Sequence, residues 1–299
     1  MKERETLSLF HLSMPTETSH DSAPGARPVG INDPAAAAQN IQRMFDAIAP
    51  TYDRANHLLS FGLDRTWWLR AARALRPILQ RPEAVVLDLC CGTGDMTLAL
   101  YRHRPPAPGS AEPQIVNGIP HVPSMTALPS WVGSKLPGQP APMLAGDFSR
   151  NMLTLALPKF AGKNIVPIQA DAMHLPFPDS SLDLVTFAFG FRNLNDYPAG
   201  LRELHRVLRP GGQVAILECN QPGGLVGALY NLYFHHVLPT VGGWISRDRT
   251  AYEYLPHSVA RFPRPPQMKQ LILEAGFANP AWTGYTFGTA GLYRATKLG

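Results

Sequence analysis

The sequence predicts a doubly wound α/β domain. Its seven-stranded sheet is mostly parallel, with an antiparallel C-terminal strand and helices on both faces. Short apolar runs alternate with helical patterns along the chain. The first of these runs ends in a Gly-rich turn that opens a helix. The last two runs lie too close together for a crossover helix, so they are expected to pair antiparallel.

The elements follow in order. Ile41, Met44, Phe45 and Ile48 stand at i, i+3, i+4 and i+7, the spacing of an amphipathic helix over 39–49. A second helix is predicted from Asp64 to Leu79. Ala84 to Leu89 is an apolar run that reads as a buried parallel strand. Asp95 to Arg104 is helical, and Met143 to Gly146 is a short strand. Ser149 caps a helix that carries Met152, Leu153 and Leu157. Ile165 to Ala170 and Leu182 to Phe189 are the next strands. Pro198 opens a helix whose inward face is Leu201, Leu204 and Leu208. Pro210-Gly211-Gly212 stops it and turns the chain into a strand from Gln213 to Cys219. A further helix covers 265–275, and strands near 281–287 and 291–297 complete the sheet.

Apolar residues make up 45% of the 299 and charged residues 16%, which excludes a disordered chain and suits a sizeable core. Proline is in excess: 30 residues, against a usual share of about 5%. Residues 1–38 lack any apolar period and are expected to be a disordered tail before one domain over 39–299. Residues 105–142 hold ten Pro and only two charges, Glu112 and Lys135. That composition is expected to exclude regular structure and to form a surface insertion; Trp131 leaves a docking loop as the other reading. Cys90, Cys91 and Cys219 are too few for a disulfide framework and point to a reducing compartment. The N-terminal residues lack the apolar stretch of a signal peptide, and no apolar run reaches the length of a membrane span. A cytoplasmic protein is expected. A net charge of +5 allows peripheral contact with an anionic membrane face and does not require nucleic acid.

The chemistry centres on Asp88-Leu89-Cys90-Cys91-Gly92-Thr93-Gly94-Asp95. A strand runs into Gly-x-Gly and a helix opens behind it, so a ligand can approach the backbone closely. The third Gly of a dinucleotide fingerprint is missing, because Thr97 stands there. Asp147 ends the second strand, where a carboxylate can accept both ribose hydroxyl protons at about 1.5–3 kcal/mol each. Asp171-Ala172 ends the third strand, beside the place of an adenine edge. Three successive strand ends thus point to a nucleoside without phosphates.

These residues resemble the class I S-adenosylmethionine-dependent methyltransferases, and among them the C-methyltransferases of menaquinone and ubiquinone biosynthesis. The matching segments include Tyr52-Asp53 with Asn56, Ser60-Phe61-Gly62-Leu63, and Leu87-Asp88-Leu89 with Gly92-Thr93-Gly94-Asp95. They continue with Phe189-Gly190-Phe191-Arg192-Asn193, Pro210-Gly211-Gly212, His236-Val237-Leu238-Pro239 and Tyr252-Glu253-Tyr254-Leu255. The resemblance implies that Asp88, Gly92, Thr93, Gly94, Asp147, Asp171, Ala172 and Ala188 form the S-adenosylmethionine site. Ala188 departs from the family, which often has Ser there. The resemblance implies C-methylation of a polyprenylated hydroquinone, either a demethylated menaquinol or a polyprenyl methoxybenzoquinol.

On this reading an ionised phenol pushes electron density onto the ring carbon, and Arg192 stabilises the oxygen with a permanent charge. Asn193 orients the same oxygen, and Tyr52 hydrogen-bonds across the site or covers it. Tyr252 and Tyr254 line the quinone pocket or pack in the core. His57, His174, His235 and His236 match no zinc spacing and read as structural; no metal is expected. The apolar stretch from Leu225 to Ile245 is too interrupted to span a bilayer and reads as a surface contact or a roof over the pocket. A homodimer and a quinone-biosynthesis complex both stay open. So do two rival readings, a methyltransferase for another small aromatic acceptor and a non-catalytic S-adenosylmethionine-binding scaffold.

Overall fold

The computed structural model describes residues 24–26, 33–106, 115–116, 119–120, 140–233 and 249–299. Seven strands form the sheet: β1 Val86–Leu89, β2 Met143–Asp147, β3 Ile165–Gln169, β4 Leu182–Ala188, β5 Leu208–Cys219, β6 Phe277–Tyr285 and β7 Ala290–Lys297. Their order is β3-β2-β1-β4-β5-β7-β6. Only β7 runs against the others, pairing antiparallel with β5 and β6. The predicted architecture is therefore the observed one.

Ten α-helices accompany the sheet among the described residues. They are α1 Pro34–Ile48, α2 Tyr52–Leu59, α3 Leu63–Ala74, α4 Arg76–Leu79, α5 Asp95–Tyr101, α6 Arg150–Phe160, α7 Tyr197–Val207, α8 Gly224–Leu232, α9 Arg249–Arg261 and α10 Pro265–Glu274. Every residue of β1 is buried, as expected of a central parallel strand covered on both faces. Leu87 and Leu89 point to one layer, with Leu144 and Phe187, and pack under Leu204 of α7 and Met268 of α10. Val86 points to the other layer, with Met143 and Leu184, against Met96 of α5 and Leu153 of α6. From β1 the chain moves outward to β2 and β3, then returns to lay β4 on the other side of β1. That reversal opens a crevice at the carboxyl ends of β1 and β4, where open α/β sheets bind ligands.

Several boundaries differ from expectation. Residues 34–38, expected in the tail, belong to α1, which begins at Pro34. Asp33 caps it by accepting from the Ala36 N–H at 2.7 Å, and Pro34 leads into a run of alanines. Alanine favours helix by propensity alone and leaves no apolar period to read. Residues 24–26 are also held: the Ala26 N–H donates to Leu194 O, and the Tyr197 N–H donates to Pro24 O. Gly25 is required there, since a Cβ would lie 2.0 Å from Asn195 O. The expected helix from Asp64 to Leu79 breaks at Leu75, next to Pro77, which has no N–H to donate. Within the Pro-rich insertion, Ile115–Val116 pairs antiparallel with Ile119–Pro120, so regular structure is not excluded there. The ladder tolerates Pro120 because a two-stranded pair leaves edge positions that need no N–H. Strand β5 starts at Leu208, which the sequence placed on the helix, and runs through Pro210-Gly211-Gly212 with a register shift opposite Leu182 and Leu184. Trp131, His235, His236 and the His-Val-Leu-Pro segment lie outside the described residues. No helix among the described residues is long and apolar enough to cross a membrane.

Candidate active site

The Gly-rich turn is built by steric necessity. Cys90, Gly92 and Gly94 all adopt positive φ as β1 turns into α5. Gly94 has φ +89°, and a Cβ there would lie 2.5 Å from the Phe160 ring. Gly94→Ala is expected to destabilise the fold by about 1–3 kcal/mol through backbone strain and this clash, measurable by urea unfolding. Gly190, in the loop after β4, is constrained by space alone: its Cβ would stand 2.3 Å from that of Cys90. The two loops thus lean on each other across the crevice.

Asp88 lies beneath this turn. It is fully buried and accepts from the hydroxyls of Thr97 and Thr186, both at 2.6 Å. Burial pushes its carboxyl up to about 6, against the pull of those two bonds. Asp88 therefore ties β1 to β4 and α5 and faces neither cavity described below. Gly94 likewise serves packing and lines neither cavity.

Asp147 reaches the turn from β2. Its carboxylate accepts from the backbone N–H groups of Gly92 and Ser149, each at 2.8 Å. Burial pushes it up to about 6, the two backbone bonds oppose this, and nearby Asp46 adds to the rise. Asp46 also accepts from the Ser149 hydroxyl. Asp171 accepts from the Met173 N–H at 2.9 Å.

Two cavities meet at this crevice. The smaller, about 110 Å³, is lined by Asp147, Phe148, Asp171, Ala172, Ala188 and Asn193, among others. The larger, about 260 Å³, is lined by Thr93, Trp67, Trp68, Arg192, Tyr230 and Tyr233, among others. Tyr52, Cys90, Gly92, Ala188 and Phe189 border both. No Lys or Arg lines the smaller cavity among the described residues.

A family model described as the ubiE/COQ5 methyltransferase family matches residues 34–297. The chain belongs to that family. It is an S-adenosylmethionine-dependent methyltransferase. The demethylmenaquinone methyltransferase of Deinococcus radiodurans is 38% identical over 270 residues, covering 89% of this chain and 96% of that one. The protein of the same name from Thermus thermophilus is 39% identical over 253 residues, covering 84% and 98%. Among solved structures, a Haloferax volcanii methyltransferase bound to its Trm112 activator matches at TM-score 0.53 and 18% identity, covering 85% of this chain and 98% of that chain. A Thermotoga maritima S-adenosylmethionine-dependent methyltransferase matches at 0.51 and 16%, with the same coverage. These two structures share the fold.

In this methyltransferase, Arg192 and Asn193 separate. Arg192 lines the larger cavity, whereas Asn193 lines the smaller one and accepts from the Tyr254 hydroxyl at 3.1 Å. Tyr254 thus acts on Asn193 and lines neither cavity; the side chain of Tyr252 lies outside the described residues. Arg192 is buried. Its Nη1 donates to Glu218 Oε1 at 2.5 Å and to Phe189 O, and its backbone N–H donates to Glu218 Oε2. Burial pulls the guanidinium down, but Glu218 outweighs it and holds the pKa above its usual value. Arg192 Nε is buried without a hydrogen-bond partner.

Sequence reasoning missed Glu218, because an acidic residue inside an apolar strand carries no motif of its own. It also missed α2, whose buried residues are only Ala55 and Leu59. This helix brings Tyr52, Asp53, Asn56 and His57 to the larger cavity. There, Lys159 donates to Asp53 at 2.8 Å and to Asp95 at 2.9 Å, and the Thr93 hydroxyl donates to Asp53. His174 is exposed near Asp171, away from the larger cavity. Among the described residues no group of three His, Cys, Asp or Glu is placed to hold a metal ion.

Proposed function

We propose that this methyltransferase carries the methyl group of S-adenosylmethionine to a ring carbon of a prenylated naphthohydroquinone. The observation that carries this reading is the pair of abutting cavities, one acidic and free of basic side chains, the other aromatic and floored by a buried Arg. The residues of the smaller cavity fit an adenosyl sulfonium: Asp147 and Asp171 offer carboxylates, and among the described residues no Lys or Arg lines it to favour a pyrophosphate. Asp147 would hold the ribose hydroxyls, Asp171 with Ala172 the adenine edge, and Ala188 the backbone side of the same pocket. Gly92 and Thr93 would border the methionine end. When bound, the donor supplies an electrophilic methyl on a cationic sulfur.

The chain's own residues provide the remainder. Trp67, Trp68 and Tyr233 give an aromatic wall that suits a flat ring. Arg192 Nε is an unpartnered buried donor that suits a ring oxygen. Tyr52 borders both cavities, so it can fix donor and acceptor relative to each other. Such positioning can supply about 7–11 kcal/mol of a barrier. Exposed large apolar side chains support a lipid tail: Leu58, Leu225, Leu229, Leu232 and Phe287, with Phe61, which also lines the larger cavity. Peripheral contact of these side chains with a membrane is part of the same reading. The names of the relatives favour a menaquinol precursor as the acceptor.

The test is an acceptor panel with methyl-labelled donor. Reduced prenylated demethylnaphthoquinol should be methylated with the highest kcat/KM, and the same ring without its tail should react more slowly. Preference for a benzoquinol would move the assignment to the other quinone class. Labelling of only unrelated phenols would refute it.

A further inference from the structure

We infer that His57 is the catalytic proton acceptor for the ring hydroxyl, with Asp64 as its positioning residue. This rests on the hydroquinone reading above. An unactivated phenol holds its proton to a pKa of about 10, so the reaction needs a base. Arg192 cannot serve, because it is permanently protonated and its charge is already matched by Glu218 at 2.5 Å.

Tyr52 aside, the other titratable groups around the larger cavity are buried or committed elsewhere. Burial pushes the thiols of Cys90, Cys91 and Cys219 up, so they stay protonated. Burial also raises Tyr230 and Tyr233. Asp53 and Asp95 share the Lys159 ammonium. Asp64 is buried, with Oδ1 accepting from the Arg65 N–H and Oδ2 on His57.

His57 differs from all of these. Its Nδ1 lies 2.5 Å from Asp64 Oδ2, which fixes the tautomer that leaves Nε2 free to accept a proton. Nε2 stands 3.7 Å from Asp95 Oδ2, too far for a hydrogen bond. The Trp68 ring meets the imidazole edge-on at 5.7 Å between centroids and restrains its tilt. The charged groups facing the ring are Asp64 from α3 and Asp95 from α5; Lys159 from α6 and Asp53 from α2 stand behind Asp95. The side chain is one quarter exposed and lines the cavity. This is the arrangement of an oriented base with a buried carboxylate behind it.

The balance is complete. The ring O–H bond breaks, and its proton passes to Nε2. The electron pair stays with the ring, whose adjacent carbon bonds to the methyl while the C–S pair returns to sulfur. That carbon then releases its own proton to water as aromaticity returns, and Nε2 gives its proton back to the ring oxygen. One proton leaves per turnover.

The test compares wild type, His57→Gln and Asp64→Asn by kcat across pH, with donor affinity measured separately by calorimetry. His57→Gln should lose about 10²–10⁴-fold in kcat. It should also lose the acidic limb of the wild-type pH profile and keep donor affinity within about threefold. Asp64→Asn should lower kcat in the same direction by disturbing the tautomer. Exogenous imidazole should restore part of the activity of His57→Ala. Should His57→Gln not fold, Asp64→Asn and imidazole rescue decide the matter. An active wild type with His57→Gln within threefold of it, an unchanged profile and no rescue would overturn the dyad alone. A wild type that methylates no hydroquinone would overturn both the dyad and the acceptor assignment.

Discussion

Glu218→Ala is expected to lower the unfolding free energy by about 3–5 kcal/mol, because it strands the Arg192 guanidinium in the core. Glu218 is fully buried, and its two oxygens take Arg192 Nη1, the Arg192 N–H and the Cys219 N–H. Removing the carboxylate leaves a buried cation and two backbone donors without their acceptor. Arg192→Ala does the converse damage by stranding the carboxylate. A dead single variant at either position therefore says little about catalysis. The double variant Arg192→Met with Glu218→Leu removes both charges together and should recover most of the lost stability, since a buried ion pair can be replaced by packed apolar groups. It should stay inactive on the hydroquinone and still bind the donor. Urea unfolding of the four proteins checks the stability; a single variant as stable as wild type would show that the pair is solvated in solution.

Asp147→Asn is expected to weaken S-adenosylmethionine binding by about 10–150-fold, the equivalent of one hydrogen bond to a charged group. The amide also turns an N–H toward one of the two backbone donors that the carboxylate now accepts. Asp147 further imposes a pH dependence on binding. Its carboxyl is raised to about 6 in the free protein, and ribose hydroxyls favour the ionised form. Affinity should therefore rise with pH through about 6 and level off above it, with proton release on binding below that point. On folding the same shift acts in the other sense. The raised pKa contributes stability that is fully present below 3.8 and lost as pH rises through about 6. Asp88 titrates in the same range, so the slope that disappears in Asp147→Asn is the part belonging to Asp147. Calorimetry of donor binding from pH 5 to 8, and of unfolding from pH 3.5 to 8, measures both terms. A pH-independent affinity equal in wild type and variant would remove Asp147 from the donor site.

The sheet was legible in the sequence because buried parallel strands are unbroken apolar runs, and the Gly-rich turn marks the carboxyl end of β1. Asp147 was legible because it ends β2, and Asp171 because it follows the end of β3 by two residues. What escaped the sequence is what depends on non-local pairing. Glu218 gains meaning only when β5 places it beneath Arg192, 26 residues away. His57 gains meaning only when α3 folds back to set Asp64 against it. Asp88 misled in the opposite direction: its place in the motif suggested ligand contact, whereas its two hydroxyl partners make it a buried strut. The alanine-rich start of α1 and the strap at 24–26 carry no periodicity, because propensity and main-chain pairing form them.

The account stands on a donor held at the strand ends and a phenolic ring held beside it. Carbon-13 NMR of the product formed from methyl-labelled S-adenosylmethionine and reduced prenylated demethylnaphthoquinol reads that juxtaposition most directly. The account predicts a single labelled methyl on the ring carbon next to a hydroxyl-bearing carbon. A methyl ether on the oxygen, or an unlabelled ring despite full donor binding, would contradict it.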